Sequence, residues 1–300
     1  MDNKQLIGFG PAACGYSAKF KPSTSLFGGR IINAIRRRYN KYVIRPKQER
    51  EYLNAIKTAI QQGFRWIDYS CAYGNGRLLG KAIRESGVKR EDLVITTRVS
   101  NYAQMNHCVR DEFLNFLHNM GIEYVDVLQF HWPVTDFYLD TWKEMERLYE
   151  EGYVKHLGVA NCHPHHLEEI FKICKHKPEV GQFEIHPLFT QKPLIAYYNE
   201  HNIQVCAYTP IARFDDRLMR LPKLKQIGEK YGKSITQIVL RWHIQNGVIP
   251  IVRTLNPAHQ KENLDVFDFE LAKDEMVLID SININSRLRY DPDNCDFSIL

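Results

Sequence analysis

Hydrophobic and polar positions follow two different periods along this chain. Short runs rich in β-branched and aromatic residues predict eight β-strands, at Leu6–Phe9, Phe64–Asp68, Leu93–Val99, Val125–His131, Val154–Ala160, Gly181–His186, Gln204–Thr209 and Val248–Val252. Longer segments between them place apolar residues three and four positions apart, as at Leu114, Leu117 and Met120 and at Leu167, Ile170 and Cys174. That spacing predicts amphipathic helices, among them Glu49–Gln61, Gly76–Ser86, Val109–Met120, Leu139–Glu150, His165–Cys174 and Ile235–Gln245.

Eight strands that alternate with helices are the count of a (β/α)8 barrel, and 300 residues are a suitable length. A doubly wound sheet is the alternative, but it requires a glycine fingerprint after the first strand. The segment Gly8–Ala13 has two glycines, no third, and a proline where helix amides should point. We therefore predict an α/β protein with the (β/α)8 TIM-barrel fold, in which residues 1–300 form a single domain.

One segment does not fit this alternation, because residues 17–47 are too long for an ordinary loop after the first strand. From Asn3 to Gln48 there are ten Lys or Arg residues and no acidic one. The formal charge of the chain is +5, yet without those ten cations it has 30 basic and 35 acidic residues. The chain is thus an acidic body with one basic insertion, in which Ile31–Tyr42 predicts a short helix. A nucleic-acid-binding surface is not expected.

Composition excludes several other classes of protein. No apolar run approaches the length of a membrane span, and the polar start Met1–Gln5 has no signal-peptide core. Seven scattered cysteines without a C-x-x-C pair disfavour a disulfide framework or structural zinc and predict a cytoplasmic location. His163, His165 and His166 stand at a helix start, but neighbouring residues point to different faces, so no metal site is predicted.

Candidate chemistry follows from the barrel, since active sites in this fold form at the C-terminal ends of the strands. Asp68 ends the second predicted strand, Tyr73 follows it, Arg98 lies near the end of the third, and His131 ends the fourth. A phenol, with its pKa of about 10, becomes a useful acid only beside a cation. Asp68 can pair with that cation, and His131 can polarise a carbonyl oxygen. The set predicts proton delivery, with hydride from a bound nicotinamide because no side chain can donate one.

Several longer motifs together resemble the aldo-keto reductase family. They are Phe64–Asp68 with Tyr73–Asn75, Gly158–Asn161, Gln182–Pro187, Ala207–Pro210, and Asn256–Pro257 with Glu262–Phe269. The resemblance extends over about residues 49–281 and includes the first strand. It implies a (β/α)8 barrel that reduces aldehydes and ketones with NADPH, using a tetrad of Asp, Tyr, Lys and His.

Three members of that tetrad match, at Asp68, Tyr73 and His131, whereas Arg98 stands where the family has lysine. Arginine keeps a positive charge opposite Asp68 and can still favour the Tyr73 phenolate, but it cannot release a proton at working pH. We therefore expect slow but real reductase activity, with a narrower pH optimum than is usual in the family.

The resemblance also implies a nicotinamide site. Asn161 and Gln182 would hold the carboxamide, beside Ala160 where serine is usual. Tyr208 would stack on the ring, with Thr209 following it in the same motif.

The rest of the cofactor would lie at the end of the last strand. Arg253 and Thr254, with the amides of the next helix, would bind the 2′-phosphate, although His259 stands where the family has arginine. Glu262 and Asn263 match the pair that contacts adenine. These residues predict NADPH as the preferred cofactor, with a weaker preference over NADH than is usual in the family.

On the substrate side, Trp132 is expected to wall the pocket, and Ser100 replaces a frequent tryptophan and would widen it. The insertion 17–47 would open onto the catalytic face as a solvated segment, as a cationic lid for an anionic or carrier-linked substrate, or as a protein-docking arm. The tail, residues 285–300, is expected near the pocket, as tails of the family are.

These observations predict an NADPH-dependent enzyme that reduces a small aldehyde or ketone to an alcohol, with Tyr73 as the general acid and with neither nucleic acid nor membrane as a partner. The alternative is a nucleotide-binding protein with impaired catalysis and a regulatory or redox-sensing role. Arg98, Ala160 and His259 favour that alternative.

Overall fold

The eight hydrophobic runs form eight parallel strands that close into a barrel, each strand pairing with its neighbours in sequence until β8 pairs with β1. The coordinates are a computed structural model, in which residues 6–15 and 29–299 are described. The strands are β1 Gly8–Phe9, β2 Trp66–Asp68, β3 Val94–Val99, β4 Val125–Phe130, β5 Val154–Ala160, β6 Val180–Glu184, β7 Gln204–Tyr208 and β8 Ile249–Val252. The predicted TIM-barrel fold is confirmed.

The helices pack around the outside of this barrel. They are α1 Gly29–Tyr39, α2 Arg45–Gln62, α3 Gly76–Ser86, α4 Asn101–Met105, α5 Val109–Met120, α6 Tyr138–Glu150, α7 Pro164–Ile173, α8 Lys192–Glu200, α9 Asp216–Met219, α10 Pro222–Tyr231, α11 Ile235–Gln245, α12 Pro257–Leu264 and α13 Lys273–Asp280. A π-helical segment, Asn40–Ile44, joins α1 to α2, and short 3-10 turns lie at Cys71–Tyr73, Arg90–Asp92, Ala212–Phe214 and Phe297–Ile299.

The core has two layers because strand side chains alternate between the two faces of a closed sheet. Inside the barrel, Trp66, Val127, Val180, Cys206 and Ile249 belong to one small apolar cluster. The larger cluster fills the space between strands and helices and includes Leu128 and Trp142. β4 is buried along its whole length, and its sequence is accordingly mostly apolar, as expected for a strand covered on both faces.

A close contact between α8 and β6 sets the position of the strand end next to it. A Cβ atom on Gly181 would lie 2.0 Å from the Tyr198 ring, so only glycine lets the helix pack this tightly. The Tyr198 hydroxyl then donates to the carbonyl of Cys162, 2.9 Å away, across the neighbouring strand. Gln182 follows Gly181, and its placement depends on this packing.

The basic insertion is helical where it is described. The short helix predicted within Ile31–Tyr42 corresponds to α1 and the π-helical segment, which run directly into α2. None of residues 33–47 is buried, whereas residues 17–28 of the predicted insertion lie outside the described residues.

Membrane-spanning helices and disulfides are both absent from the described part of the chain. No described helix combines the length and the apolar character that a membrane span requires. All seven cysteines are described, and each is a free thiol.

Candidate active site

The end of β2 and the turn after it place a carboxylate and a phenol together. Asp68 is the last residue of the strand, and the Tyr69 amide continues the sheet with a 2.8 Å hydrogen bond to the Thr96 carbonyl. The 3-10 turn Cys71–Tyr73 then reverses the chain, and Gly74 ends it with a φ of 66°, a conformation that favours glycine. The turn therefore brings Tyr73 back over the strand end.

Arg98 and Asp68 form a buried, two-pronged ion pair. The two guanidinium Nη atoms donate to the two carboxylate oxygens of Asp68, at 2.7 and 2.8 Å. Burial acts to lower the pKa of Arg98, but the charges and hydrogen bonds of Asp68 and Tyr73 outweigh it and raise the pKa. Arg98 is therefore a permanent cation beside Tyr73, and it holds its proton more firmly than free arginine.

Gln182 is part of the same network. Its Oε1 accepts from Arg98 Nη1 at 2.6 Å, and its Nε2 donates to Asp68 Oδ1 at 2.9 Å. The side chain reaches across the barrel from β6, and both ends of its amide are engaged. Gln182 thus joins the ion pair to the far side of the barrel mouth.

His131 follows β4 and is neutral. Its amide donates to the Val99 carbonyl at 3.1 Å, and its carbonyl accepts from Asn161 Nδ2 at 2.9 Å. Burial, followed by the positive charges of Arg98 and Arg289, lowers the pKa of His131 to about 3. A neutral imidazole has one nitrogen that donates and one that accepts, so it can donate a hydrogen bond to an oxygen without carrying a charge.

These side chains line one cavity of about 960 Å³ at the C-terminal mouth of the barrel. All four predicted catalytic residues, all ten predicted cofactor residues and Trp132 are in its wall: Asp68, Tyr73, Arg98, His131, Trp132, Ala160, Asn161, Gln182, Tyr208, Thr209, Arg253, Thr254, His259, Glu262 and Asn263. The volume is near the upper end of the range for ligand pockets, which suits a large ligand.

The middle of the cavity is held by hydrogen bonds between strand ends. The Tyr208 hydroxyl donates to Asn161 Oδ1 at 2.7 Å, and Asn161 itself has a φ of 60°, which asparagine tolerates better than most residues. Burial and then the nearby Glu184 raise the pKa of Tyr208, so it stays a phenol. Ala160 offers no hydroxyl here.

The end of β8 and the start of α12 form a polar corner of the cavity. Thr254 Oγ1 accepts from the Asn256 amide at 3.1 Å, and Asn256 Oδ1 caps the helix by accepting from the Ala258 amide at 3.0 Å. Arg253 is exposed beside this helix start. A cation next to a helix N-terminus is a suitable place for a phosphate. Glu262 accepts a 2.6 Å hydrogen bond from the Ser234 hydroxyl.

Ser100 lies outside the cavity wall, contrary to the expectation that it borders the substrate pocket. Its hydroxyl accepts from the Ala103 amide and donates to Glu112 Oε1 at 2.5 Å, while its own amide donates to Glu112 Oε2 at 2.7 Å. The residue is a buried cap of α4. Those contacts point the short side chain toward α4 and α5 instead of toward the cavity.

The C-terminal tail contributes wall residues that strand-end reasoning does not find. Arg289, Tyr290 and Ile299 line the cavity, as does Arg213 in the turn after β7. None of residues 33–47 does so, which leaves the described part of the basic insertion away from the cavity. The tail was expected near the pocket only because tails of the resembled family lie there.

The histidine cluster contacts the same tail. Asp293 accepts from His163 Nδ1 at 2.7 Å and lies 3.3 Å from His165 Nε2 and 3.8 Å from His166 Nε2. These groups are close enough to hold a cation, but each also has a simple structural role. They attach the tail to the start of α7.

Comparison with known proteins identifies similar sequences. The family model described as "Aldo/keto reductase family" matches residues 38–284. The 9,11-endoperoxide prostaglandin H2 reductase of Trypanosoma cruzi (strain CL Brener) is 41% identical over 253 residues, 84% of this chain and 89% of that protein. The glyoxal reductase of Bacillus subtilis (strain 168) is 38% identical over 85% of this chain and 92% of its own length. The methylglyoxal reductase DkgA of Escherichia coli (strain K12) is 36% identical over 81% and 88%.

Solved structures agree with the sequence matches. An aldo-keto reductase from a Medee basin deep-sea metagenome library, MGS-M4, superposes with a TM-score of 0.81 at 30% identity, covering 99% of this chain and 96% of its own. An aldo-keto reductase of Bombyx mori in complex with NADP gives a TM-score of 0.78 at 26% identity, over 96% and 92%. The similarity extends over nearly the whole described barrel.

Proposed function

The chain belongs to the aldo/keto reductase family and is an NAD(P)H-dependent oxidoreductase that acts on small carbonyl compounds, and from this premise we propose that it reduces an aldehyde or ketone with NADPH and with Tyr73 as general acid. The observation that carries the proposal is the shared cavity of Tyr73, His131 and the Asp68–Arg98 pair. Their residue types supply an acid, a neutral hydrogen-bond donor and a fixed cation, which are the groups that carbonyl reduction requires.

The proposed chemistry has a clear division of roles. A bound nicotinamide supplies the hydride to the carbonyl carbon, which no side chain can do. Tyr73 donates its phenolic proton to the carbonyl oxygen, and neutral His131 orients that oxygen by a hydrogen bond. Arg98 favours the phenolate that Tyr73 leaves behind, and Asp68 holds Arg98 in place. Solvent then returns a proton to Tyr73.

The cavity fits a dinucleotide of this kind. Asn161 Oδ1 accepts one hydrogen bond from Tyr208 and keeps a second lone pair for a carboxamide. The Gln182 amide is already engaged by Arg98 and Asp68, and Ala160 adds no hydroxyl, so we propose Asn161 as the main carboxamide partner. Tyr208, with Thr209 beside it, would lie against the nicotinamide ring.

At the other corner, Arg253 and Thr254 would hold the 2′-phosphate beside the α12 N-terminus, with Glu262 and Asn263 at the adenine. His259 supplies no permanent charge there, which weakens the preference for NADPH.

Replacing Tyr73 by phenylalanine tests the general acid. Tyr73→Phe should lower kcat for methylglyoxal, a substrate suggested by the name of the Escherichia coli relative, by roughly 10²- to 10⁴-fold, because it removes the acid. Its affinity for NADPH should stay near the wild-type value. Tyr102→Phe makes the same atomic change at an exposed position of α4 and should keep wild-type kinetics. A Tyr73→Phe enzyme that turns over normally would rule out this role.

Measurements of NADPH binding and of turnover on the wild-type enzyme distinguish the proposed reductase from the alternative function. Tight NADPH binding without turnover on a broad panel of carbonyl compounds would favour a nucleotide-binding protein with impaired catalysis. The relatives named as reductases weigh against that outcome.

The cofactor preference is tested by the dissociation constants of NADPH and NADH. Wild type should bind NADPH more tightly, and Arg253→Ala should lose roughly tenfold or more of that preference, because it removes a charge-assisted contact to the 2′-phosphate. Arg147→Ala removes an exposed cation of α6, outside the cavity wall, and should leave the preference unchanged. Equal affinity of the wild type for the two cofactors would contradict the assignment.

A further inference from the structure

We propose that Arg289 forms a subsite for a negatively charged group of the substrate, so that the enzyme prefers carbonyl compounds that also carry a carboxylate. The inference rests on the proposed carbonyl reduction and adds a substrate class to it. Arg289 lies in the C-terminal tail and is not a member of the predicted catalytic tetrad.

The first observation is the position of Arg289. It lines the same cavity as Tyr73, His131 and Trp132. After burial and the charge of Arg98, the charge of Arg289 is the next cause that lowers the pKa of His131. Arg289 and the imidazole that would face the carbonyl oxygen therefore belong to the wall of one cavity. A substrate held at His131 thus has a cation in the same cavity.

The second observation is that Arg289 is not committed to an acidic partner. Among residues 6–15 and 29–299, no carboxylate oxygen lies within 4.0 Å of its guanidinium. Its neighbour Arg287 differs, because it is 3.9 Å from Asp291 and lies over the Phe189 ring. The Arg289 guanidinium lies 5.8 Å from the centroid of the Tyr290 ring.

Two other cations of the cavity wall have a partner or a proposed ligand. Arg98 is neutralised by the bidentate contact with Asp68. Arg253 stands at the start of α12, where we propose that it meets the cofactor phosphate. Arg213, in the turn after β7, also lines the cavity. Among the described arginines of the wall, Arg289 comes from the tail, and its charge acts to lower the pKa of His131.

The third observation is that the backbone of Arg289 is anchored. Glu184, fully buried at the end of β6, accepts from the Leu288 amide at 2.7 Å and from the Arg289 amide at 2.9 Å. Four residues further on, Asp293 is attached to His163. Because both sides of Arg289 are held, a substrate has to order only the side chain, which reduces the entropy cost of binding.

Guanidinium is well suited to such a subsite. Its planar fork can donate two parallel hydrogen bonds to a carboxylate, and its exposure here leaves those donors accessible. Residues 33–47 of the basic insertion do not line the cavity, so the tail is the better source of selectivity for anions.

The test compares a charged aldehyde with its uncharged ester. Wild type should reduce 4-carboxybenzaldehyde with a higher kcat/KM than methyl 4-formylbenzoate, and the meta isomers provide a second geometry. In Arg289→Ala the ratio of the two kcat/KM values should fall by roughly 10- to 100-fold, the effect of losing a hydrogen bond between charged groups. In Arg289→Lys the ratio of the two kcat/KM values should fall less, because lysine keeps the positive charge but lacks the planar fork.

A binding measurement separates failure of the inference from failure of the proposed reaction. The dissociation constants of 4-carboxybenzyl alcohol and its methyl ester are measured on enzyme saturated with NADP⁺, with Arg147→Ala as the charge-matched control. If no aldehyde is reduced, the proposed reaction fails, while a carboxylate preference that Arg289→Ala abolishes still supports the subsite. If Arg289→Ala leaves both ratios at the wild-type value, the subsite is wrong even when turnover is normal.

Discussion

At the scale of single residues, the contacts of Arg98 extend beyond its ion pair with Asp68. Arg98 Nη1 donates to Gln182 as well as to Asp68. Three side chains, from β2, β3 and β6, therefore form one buried network. An ammonium group has no planar fork and could not make the same set of contacts. The arginine is therefore both a fixed charge for Tyr73 and a structural link across the barrel.

We expect Arg98→Met and Arg98→Lys to differ in stability. Arg98→Met leaves Asp68 as an uncompensated buried carboxylate and should lower the free energy of unfolding by about 3–5 kcal/mol. Arg98→Lys keeps the charge and should cost less. Urea unfolding monitored by circular dichroism measures both, and equal stability of the methionine variant and wild type would show that the pair contributes nothing.

The lysine variant also tests the role of Arg98 in turnover. An ammonium can release and regain a proton, so Arg98→Lys should be faster and active over a wider pH range than wild type. The pH profile of kcat between pH 5 and pH 9 measures this. If Arg98→Lys is as slow as wild type or slower, the arginine is not the reason for a low rate.

The positions of Asp68, Tyr73, Arg98 and His131 could be predicted because strand ends in this fold meet at one rim. The bond between Arg98 and Gln182 could not be predicted, because the two residues are separated by 84 positions and their contact depends on rotamers. The position of Ser100 was not predicted either, because its side chain caps α4 instead of lining the cavity.

At the scale of elements, the tail is attached to the barrel at several points, and one of them is the end of β6. Glu184 accepts from two tail amides and is also 2.9 Å from His186 Nε2. A buried carboxyl group needs such donors to offset the cost of leaving water. The strand end thus decides where residues 288–289 lie.

Removing this anchor should free the tail without unfolding the barrel. In Glu184→Leu the amides of Leu288 and Arg289 lose their acceptors, so a peptide spanning residues 285–291 should exchange its hydrogens faster. Glu184→Gln keeps one carbonyl acceptor and should give an intermediate rate, and Glu200→Leu, at the exposed end of α8, serves as the control. Hydrogen exchange followed by mass spectrometry measures the rates, and unchanged exchange in Glu184→Leu would contradict the anchoring role.

The elements themselves were well predicted where periodicity was strong. All eight predicted strands overlap observed ones, and Gly76–Ser86, Val109–Met120 and Ile235–Gln245 are helices with the predicted bounds. Strand ends were less accurate, since β1 pairs over only Gly8–Phe9 instead of Leu6–Phe9. Pairing in a staggered barrel depends on both neighbours, which a single run of residues does not specify.

At the scale of the whole molecule, buried neutral histidines couple stability to pH. Burial lowers the pKa of His243 to about 3, and burial followed by nearby charges lowers that of His131 to about 3 and that of His166 to about 4. In the unfolded chain a histidine titrates at about 6.5. Between these values the unfolded state binds more protons, so the native state loses stability as the pH falls.

The free energy of unfolding should therefore decrease below a pH of about 6.5, by about 1.4 kcal/mol per pH unit for each such histidine. His243→Gln retains a side-chain donor for the Pro210 carbonyl but does not titrate, so it should reduce the slope by one histidine. His118→Gln, on the exposed part of α5, should keep the wild-type slope. Denaturant unfolding at pH values from 7.5 to 4.5 checks this, and identical slopes for His243→Gln and wild type would contradict it.

Charge is organised on the same scale. The ten cations between Asn3 and Gln48 belong to a segment whose described side chains, from residue 33 on, are all at least partly exposed and away from the cavity wall. The cationic-lid hypothesis covers residues 17–47, of which residues 17–28 lie outside the described part of the chain. The single-domain organisation and the cytoplasmic location stay predictions.

Periodicity and strand-end chemistry were enough to establish the barrel, its order of strands and the rim that holds the tetrad. This is because hydrophobic burial acts through local patterns, and a parallel barrel places all strand ends on one side. The Arg98–Gln182 bond, the anchoring of the tail by Glu184 and the place of Arg289 in the cavity wall were decided by the folded chain. The tail contacts join residues 104 and 105 positions apart, and no local pattern encodes which distant side chains will meet once the helices have packed.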